Sequence, residues 1–166
     1  MSGNFSLIIK NGSCFIEGKL KNIDIGLSGN KIKKIGKIDL NSAKVFDASN
    51  KIVLPGVIDT QVHFREPGST DTEDLESGSK AAVLGGITSV FEMPNTNPPT
   101  STLAEFDKKI KLAKNRMHSN YAFYFGATPE NSDQLSKLKN LDGCCGVKLF
   151  AGSSTGKLLV DKESDI

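Results

Sequence analysis

The alternation of apolar and polar positions changes character near residue 55. Before that point the apolar residues come in short runs. "FSLIIKNGSCFI" is an apolar run, Asn11-Gly12, and a second apolar run, the pattern of a β-hairpin. "NIDIGLSGNKIKKIGKI" repeats it about Gly29-Asn30, with Ile32, Ile35 and Ile38 beyond the turn. "KVFDASNKIVLPG" adds a short strand and stops at Pro55-Gly56. Residues 1–54 are therefore predicted to form a small, β-sandwich-like domain of short antiparallel strands.

From Val57 onward, strand-like runs alternate with amphipathic ones. "VIDTQVHF", "ITSVFEM", "NYAFYFGA" and "CCGVKLFAG" read as strands. Between them, "STDTEDLESGSKAAVLGG" reads as a helix capped by Thr70 or Thr72, with acids in its first turn. "TSTLAEFDKKIKLAKNRM" reads as a second helix with basic residues at its end, and "NSDQLSKLKNL" as a short third. Strands alternating with helices predict a parallel sheet of βαβ units over residues 55–166. In the first strand Asp59, Gln61 and His63 alternate onto one face, and Ile58, Val62 and Phe64 onto the other. An open doubly wound sheet wants both faces apolar. A polar row fits the lumen of a closed barrel, whose active sites gather at the C-terminal strand ends. The predicted fold is α/β: the N-terminal part of a (β/α)8 barrel preceded by the β domain. A complete barrel takes about 250 residues. The chain has 166, so it is expected to be truncated, an inactive first half of a larger protein.

Composition narrows the function classes. The net charge is +2 and the lysines are scattered, which gives no reason to expect a nucleic-acid or membrane partner. No apolar run approaches the roughly 18 residues of a membrane span, and "MSGNFSLIIK" lacks the pattern of a secretory leader. A cytoplasmic protein is expected. Cys14, Cys144 and Cys145 offer neither a disulfide framework nor a paired metal motif, so reduced thiols are expected.

The chemistry-bearing residues cluster at predicted strand ends. His63 suits a divalent metal that activates water and polarises a carbonyl. Arg65 suits a two-pronged grip on a substrate carboxylate, and a salt bridge to Glu66 suits the spacing equally well. Asn95, in "EMPNTNPPT", is either a substrate donor held by stiff prolines or a turn residue, the reading that spacing alone favours. Lys148 shares a face of the fourth strand with Gly146 and Phe150. Inside a barrel its charge must be removed or paired, unless the side chain reaches out to the strand end. "AGSSTGK" departs from the phosphate-loop template at Ala151 and Leu158. His118, closing a basic helix, reads as a surface residue.

Three blocks, "LPGVIDTQVHFREPG", "GGITSVFEMPNTNPPT" and "GVKLFAGSSTGKLLV", resemble dihydroorotase of the amidohydrolase superfamily in order and spacing. The resemblance covers essentially the whole chain. It implies a zinc enzyme, with one or two ions, that reversibly interconverts N-carbamoyl-L-aspartate and dihydroorotate in pyrimidine synthesis. The small-molecule substrate would be bound by Arg65 and Asn95 through its carboxylate. His63 matches the second histidine of a metal-binding HxH pair, and Gln61 stands where the first belongs. An amide oxygen is a poor zinc ligand beside imidazole, so the site is expected to be weakened. Lys148 matches a lysine that is carboxylated and bridges metals, a change that turns a buried cation into an anion. The remaining histidines and the catalytic aspartate are expected outside this chain. Hydantoinases and allantoinases are the alternative within the superfamily. A second alternative is a silent homologue serving as structural partner of aspartate transcarbamoylase; a homo-oligomer is the other assembly expected.

Overall fold

The structure is a computed structural model that describes residues 5–39, 44–152 and 158–165. Residues 153–157, the last five of the "AGSSTGK" segment, thus lie outside the described residues. The chain divides into two compact units, Met1–Pro55 and Gly56–Ile166.

The first unit holds two sheets, and two of its strand pairings are parallel where antiparallel strands were expected. Strands β1 (Leu7–Lys10), β4 (Ile25–Ser28), β5 (Lys31–Ile35) and β6 (Lys44–Asp47) form one in the order β5-β4-β1-β6. Strands β2 (Ser13–Ile16), β3 (Lys19–Asn22) and β7 (Ile52–Val53) form the other in the order β3-β2-β7. The β4–β5 hairpin expected about Gly29 is present and antiparallel. The hairpin expected about Asn11-Gly12 is not. Instead β1 pairs with β4 and β6, and β2 pairs with β3 and β7, with the β1–β6 and β2–β7 pairings parallel. The physical reason lies at Gly12. A Cβ there would come within 2.7 Å of Val53 Cγ2 and 2.9 Å of Ala48 Cβ. The glycine thus admits later segments of the chain, and Asn11, at φ 62°, turns the backbone from one sheet into the other. Among the described residues, Ile8, Cys14, Ile25, Ile38 and Ala48 are the buried apolar side chains of this unit.

The second unit is built on a four-stranded sheet of β8 (Val57–Val62), β9 (Ile87–Glu92), β10 (Asn120–Gly126) and β11 (Cys144–Lys148). Its order is sequential, β11-β10-β9-β8, and every pairing is parallel. Crossovers between parallel strands are right-handed, so a sequential order puts the connecting segments on one face, as in a barrel. Helices α1 (Leu75–Leu84) and α2 (Leu103–Ala113) fill the first two crossovers. The third holds a 3-10 helix, Pro129–Asn140, where a short α-helix was expected.

Each helix begins where its first N–H groups find acceptors. The cap of α1 is Asp74, not Thr70 or Thr72. Its carboxylate accepts from the Ser77 N–H at 2.7 Å, and the Ser77 hydroxyl accepts from the Asp74 N–H at 3.1 Å. These hydrogen bonds hold the Asp74 carboxyl below the usual carboxylate range. Thr102 caps α2 by accepting from the Glu105 N–H at 3.1 Å. The buried cluster of this unit joins Leu75, Val90, Phe106, Phe123, Phe125 and Leu138, with the Phe106 and Phe123 rings edge to face at 6.4 Å. Among the described residues no helix is long and apolar enough to cross a membrane.

Helix α1 sits close to the end of β8 because Gly78 leaves room for Phe64. A Cβ at residue 78 would fall 2.5 Å from Phe64 Cδ1 and 2.6 Å from its Cε1. In an exposed helix, alanine in place of glycine gains about 1 kcal/mol. Here the overpacking dominates, and Gly78→Ala should lower unfolding free energy by about 1–2 kcal/mol in urea denaturation. A stabilised variant would show that Phe64 moves aside freely.

Candidate functional site

All four strands of the parallel sheet run the same way, so the segments that follow them emerge along one rim. The segments after β8 and β9 continue side by side beyond the strands. The Met93 N–H donates to the Val62 carbonyl at 2.9 Å, and the Asn97 N–H donates to the Pro67 carbonyl at 3.0 Å. Between these two ties lies a side-chain contact: His63 Nδ1 is 2.9 Å from Asn95 Oδ1. An amide oxygen only accepts, so Nδ1 is the donor in this contact, which in a neutral ring leaves the lone pair on Nε2. That is the arrangement in which an imidazole can accept a proton or bind a cation through Nε2.

The two residues matched to substrate and metal binding, Asn95 and His63, are thus brought together, both half-buried. Gln61 and Arg65 are exposed. The alternation expected to put Asp59, Gln61 and His63 on one face is interrupted. Asp59 pairs with Val90 but Val62 pairs with Glu92, so β8 carries one residue more than β9 in this stretch. Such a bulge re-aims the side chains around it. The Gln61 N–H is tied to Asp59 Oδ1 at 3.0 Å within the same stretch. Lys148 ends β11 opposite Gly126 of β10, with its ammonium 5.0 Å from the centre of the Phe150 ring. His118 is exposed, as expected, and lies 3.9 Å from Glu76.

Two ion pairs behind the rim were not anticipated. Glu66 does not pair with Arg65. Its carboxylate is buried and gripped by Arg116, with Nη1 donating to Oε1 at 2.7 Å and Nη2 to Oε2 at 3.0 Å. Glu66 Oε2 also accepts from the Leu75 N–H, the first of α1, at 3.0 Å. One side chain therefore joins the segment after β8 to the start of α1 and the end of α2. The second pair is deeper: Lys109 of α2 meets Glu92, the last residue of β9, at 2.7 Å, and both side chains are shielded from solvent. Burial pushes the Glu92 carboxyl up to about 7 against the pull of Lys109, and burial pushes the Lys109 amine down. The sequence held a signal for this lysine. Phe106, Lys109 and Ala113 follow the i, i+3, i+7 spacing of a buried stripe. The neighbouring Lys108 and Lys111 concealed it.

A metal does not fit the described residues as a complete site. No group of three or more His, Cys, Asp or Glu side chains comes together among them. The two carboxylates closest in sequence to the rim, Glu66 and Glu92, are engaged by Arg116 and Lys109. All three cysteines are free, and Cys145 is pushed up to about 12 by burial, with Cys144 adding to the shift.

Comparisons with known proteins agree with this geometry. A model of the amidohydrolase family matches residues 52–146. The allantoinase of Escherichia coli strain K12 is 40% identical over 152 residues, which is 90% of this chain and 33% of that protein. Among solved structures, the L-hydantoinase (dihydropyrimidinase) of Arthrobacter aurescens superposes with a TM-score of 0.85 at 31% identity, covering 95% of this chain and 35% of that one. The dihydropyrimidinase of Brevibacillus agri superposes at 0.79 with 28% identity, covering 93% and 35%. The α/β architecture is thus that of the N-terminal part of the hydantoinase structures, and the chain spans about a third of the length of the relatives it matches.

The Glu66–Arg116 contact generates a stability test. Arg116→Met leaves a buried carboxylate with the Leu75 N–H but no counter-charge. Partial exposure of the guanidinium softens the loss, and about 1–3 kcal/mol of unfolding free energy should disappear. Glu66→Gln, which keeps an acceptor for Leu75, should lose less. Equal stability of parent and Arg116→Met in urea denaturation would show that the pair is not what secures this corner.

Proposed function

We propose that this chain, which belongs to the amidohydrolase family, is part of a cyclic-amide hydrolase of the allantoinase and hydantoinase kind. The observation that carries the reading is the 2.9 Å contact between His63 and Asn95 at the rim of a parallel sheet. It is supported by 40% identity to an allantoinase over 90% of the chain. The relatives named above are allantoinase and hydantoinases rather than dihydroorotases, so the ring-opening reading takes those substrates first and dihydroorotate second.

The chemistry suits the residues. Opening a hydantoin ring breaks a carbon–nitrogen amide bond, adds water, and leaves a carboxylate beside a carbamoyl nitrogen. Asn95 offers amide hydrogen bonding to the ring or the carbamoyl group. Arg65 offers a planar fork that fits the carboxylate formed. His63, whose Nδ1 faces the Asn95 amide oxygen, has Nε2 left to bind a cation. No step is assigned to a metal. Amidohydrolase superfamily members are generally metal-dependent, and for this protein we take zinc as the expected ion. His63 and a carboxylated Lys148 are the residues that would contribute, while Gln61 stands at a ligand position as a weak donor.

A second reading rests on Gln61: a silent homologue that serves as a structural partner, with aspartate transcarbamoylase as the partner class. One assay separates the readings. The protein as expressed from its own gene should be supplied with zinc and offered allantoin, hydantoin, dihydropyrimidine and dihydroorotate. We expect allantoin or hydantoin to open at least about tenfold faster than dihydroorotate, a discrimination of roughly 1.4 kcal/mol in the barrier. Dihydroorotate as the preferred substrate would move the reading to dihydroorotase. Absence of turnover on all four would favour the silent partner. A polypeptide of these 166 residues, about a third of the length of the relatives it matches, is expected to be inactive by itself.

A further inference from the structure

The buried Lys109–Glu92 pair is a costly choice for a core. Two charges withdrawn from water seldom stabilise a fold more than apolar side chains of the same size. Yet Lys109 sits on the stripe of α2 that packs with Phe106 and Ala113, and its ammonium lies 5.1 Å from the centre of the Phe123 ring. What the pair touches gives it a use. Lys109 Nζ also donates to the Met93 carbonyl at 3.4 Å and to the Thr100 hydroxyl at 3.3 Å. Glu92 and Met93 open the segment that leads to Asn95, and Thr100 closes it.

The segment between these anchors is held by short internal bonds. The Thr96 and Thr100 N–H groups both donate to the Pro94 carbonyl at 2.9 Å, and the Thr96 hydroxyl donates to the Pro98 carbonyl at 2.9 Å. This makes a compact turn whose two feet rest on one ammonium group. Tilting either foot would displace Asn95 from His63, because the turn itself has little freedom to compensate.

We propose that Lys109 is a positioning residue: acting on Glu92, the Met93 carbonyl and the Thr100 hydroxyl, it holds the loop from Met93 to Thr100 in the form that sets the Asn95 amide against the His63 imidazole. The inference rests on the reading of His63 and Asn95 as site residues. Lys109 touches no reacting atom. It acts by fixing which ring nitrogen of His63 carries the hydrogen. An apolar replacement would keep the helix and the core and lose the alignment.

The test is the state of the His63 ring, read by nitrogen-15 NMR at a pH where the imidazole is neutral. In the parent protein one tautomer is fixed, so the two ring nitrogens of His63 should be widely separated. The variant carrying both Glu92→Leu and Lys109→Met removes the charges together, so neither is left unpaired, and it should melt no lower than the parent. Its His63 nitrogens should lose most of their separation as the tautomers interconvert. Thr100→Val, which keeps the ion pair and removes one foot of the loop, should move them in the same direction by less. The exposed His118 is the internal control. A fully retained separation in the folded double variant, or in Thr100→Val should the double variant fail to fold, overturns the proposal. The readout needs no substrate, so its failure is distinct from failure of the ring-opening assays.

Discussion

Parallel pairing in sequential order is the constraint from which the candidate site follows. It is what makes β8 and β9 neighbours with their ends on the same side. Had β8 and β9 run antiparallel, the segment after β8 would leave at the opposite edge, and His63 and Asn95 could not meet. The pairing continues past the strands through the Met93–Val62 and Asn97–Pro67 hydrogen bonds, so the two loops behave as an extension of the sheet. Prolines at 94, 98 and 99 limit what those loops can do otherwise. The 2.9 Å side-chain contact is then the consequence of backbone geometry rather than of two flexible groups finding each other.

Behind the loops the second unit keeps charges where a plain core would place apolar groups. Arg116 and Lys109 both come from α2 or the turn after it, and they reach carboxylates in the segment after β8 and at the end of β9. The helix is thereby keyed to the strand ends and not only to the sheet face. Apolar packing would fix how far α2 lies from the sheet but would tolerate sliding along it. Two ion pairs with defined partners do not tolerate that, so they set the register of the helix against the strand ends.

The sequence disclosed much of this and missed particular parts for physical reasons. The strands β8 to β11 were legible because each is a short apolar run bounded by turn residues, and the barrel-like class followed from their alternation with helices. The hairpin at Gly29 was legible because its partners are adjacent in the chain. The pairing of β1 was not, because Asn11-Gly12 carries the same local signal whether its strands pair with each other or with β6 and β7. Asp74 displaced the expected threonine caps because its carboxylate and Ser77 close a box that composition alone does not rank. His63 and Asn95 were legible as candidates. Their contact was not, since it depends on the register of two strands and on a bulge in β8. Glu66, Arg116 and Glu92 are ordinary surface-type residues by composition, and only their pairing in the fold distinguishes them, whereas Lys109 carried the faint signal of a helical stripe. The finer substrate expectation leaned on short motifs that related cyclic amidohydrolases share, whereas the relatives found across nine-tenths of the chain are named for allantoin and hydantoin chemistry.

The central claim is that the rim formed by the segments after β8 and β9 receives a cyclic amide or its ring-opened carbamoyl acid. The most direct measurement is a titration of the nitrogen-15-labelled chain with a carbamoyl amino acid, followed by amide chemical shifts. The account predicts saturating shifts that are largest over residues 63–68 and 93–97. Shifts confined to the Met1–Pro55 unit, or none at any concentration, would contradict it.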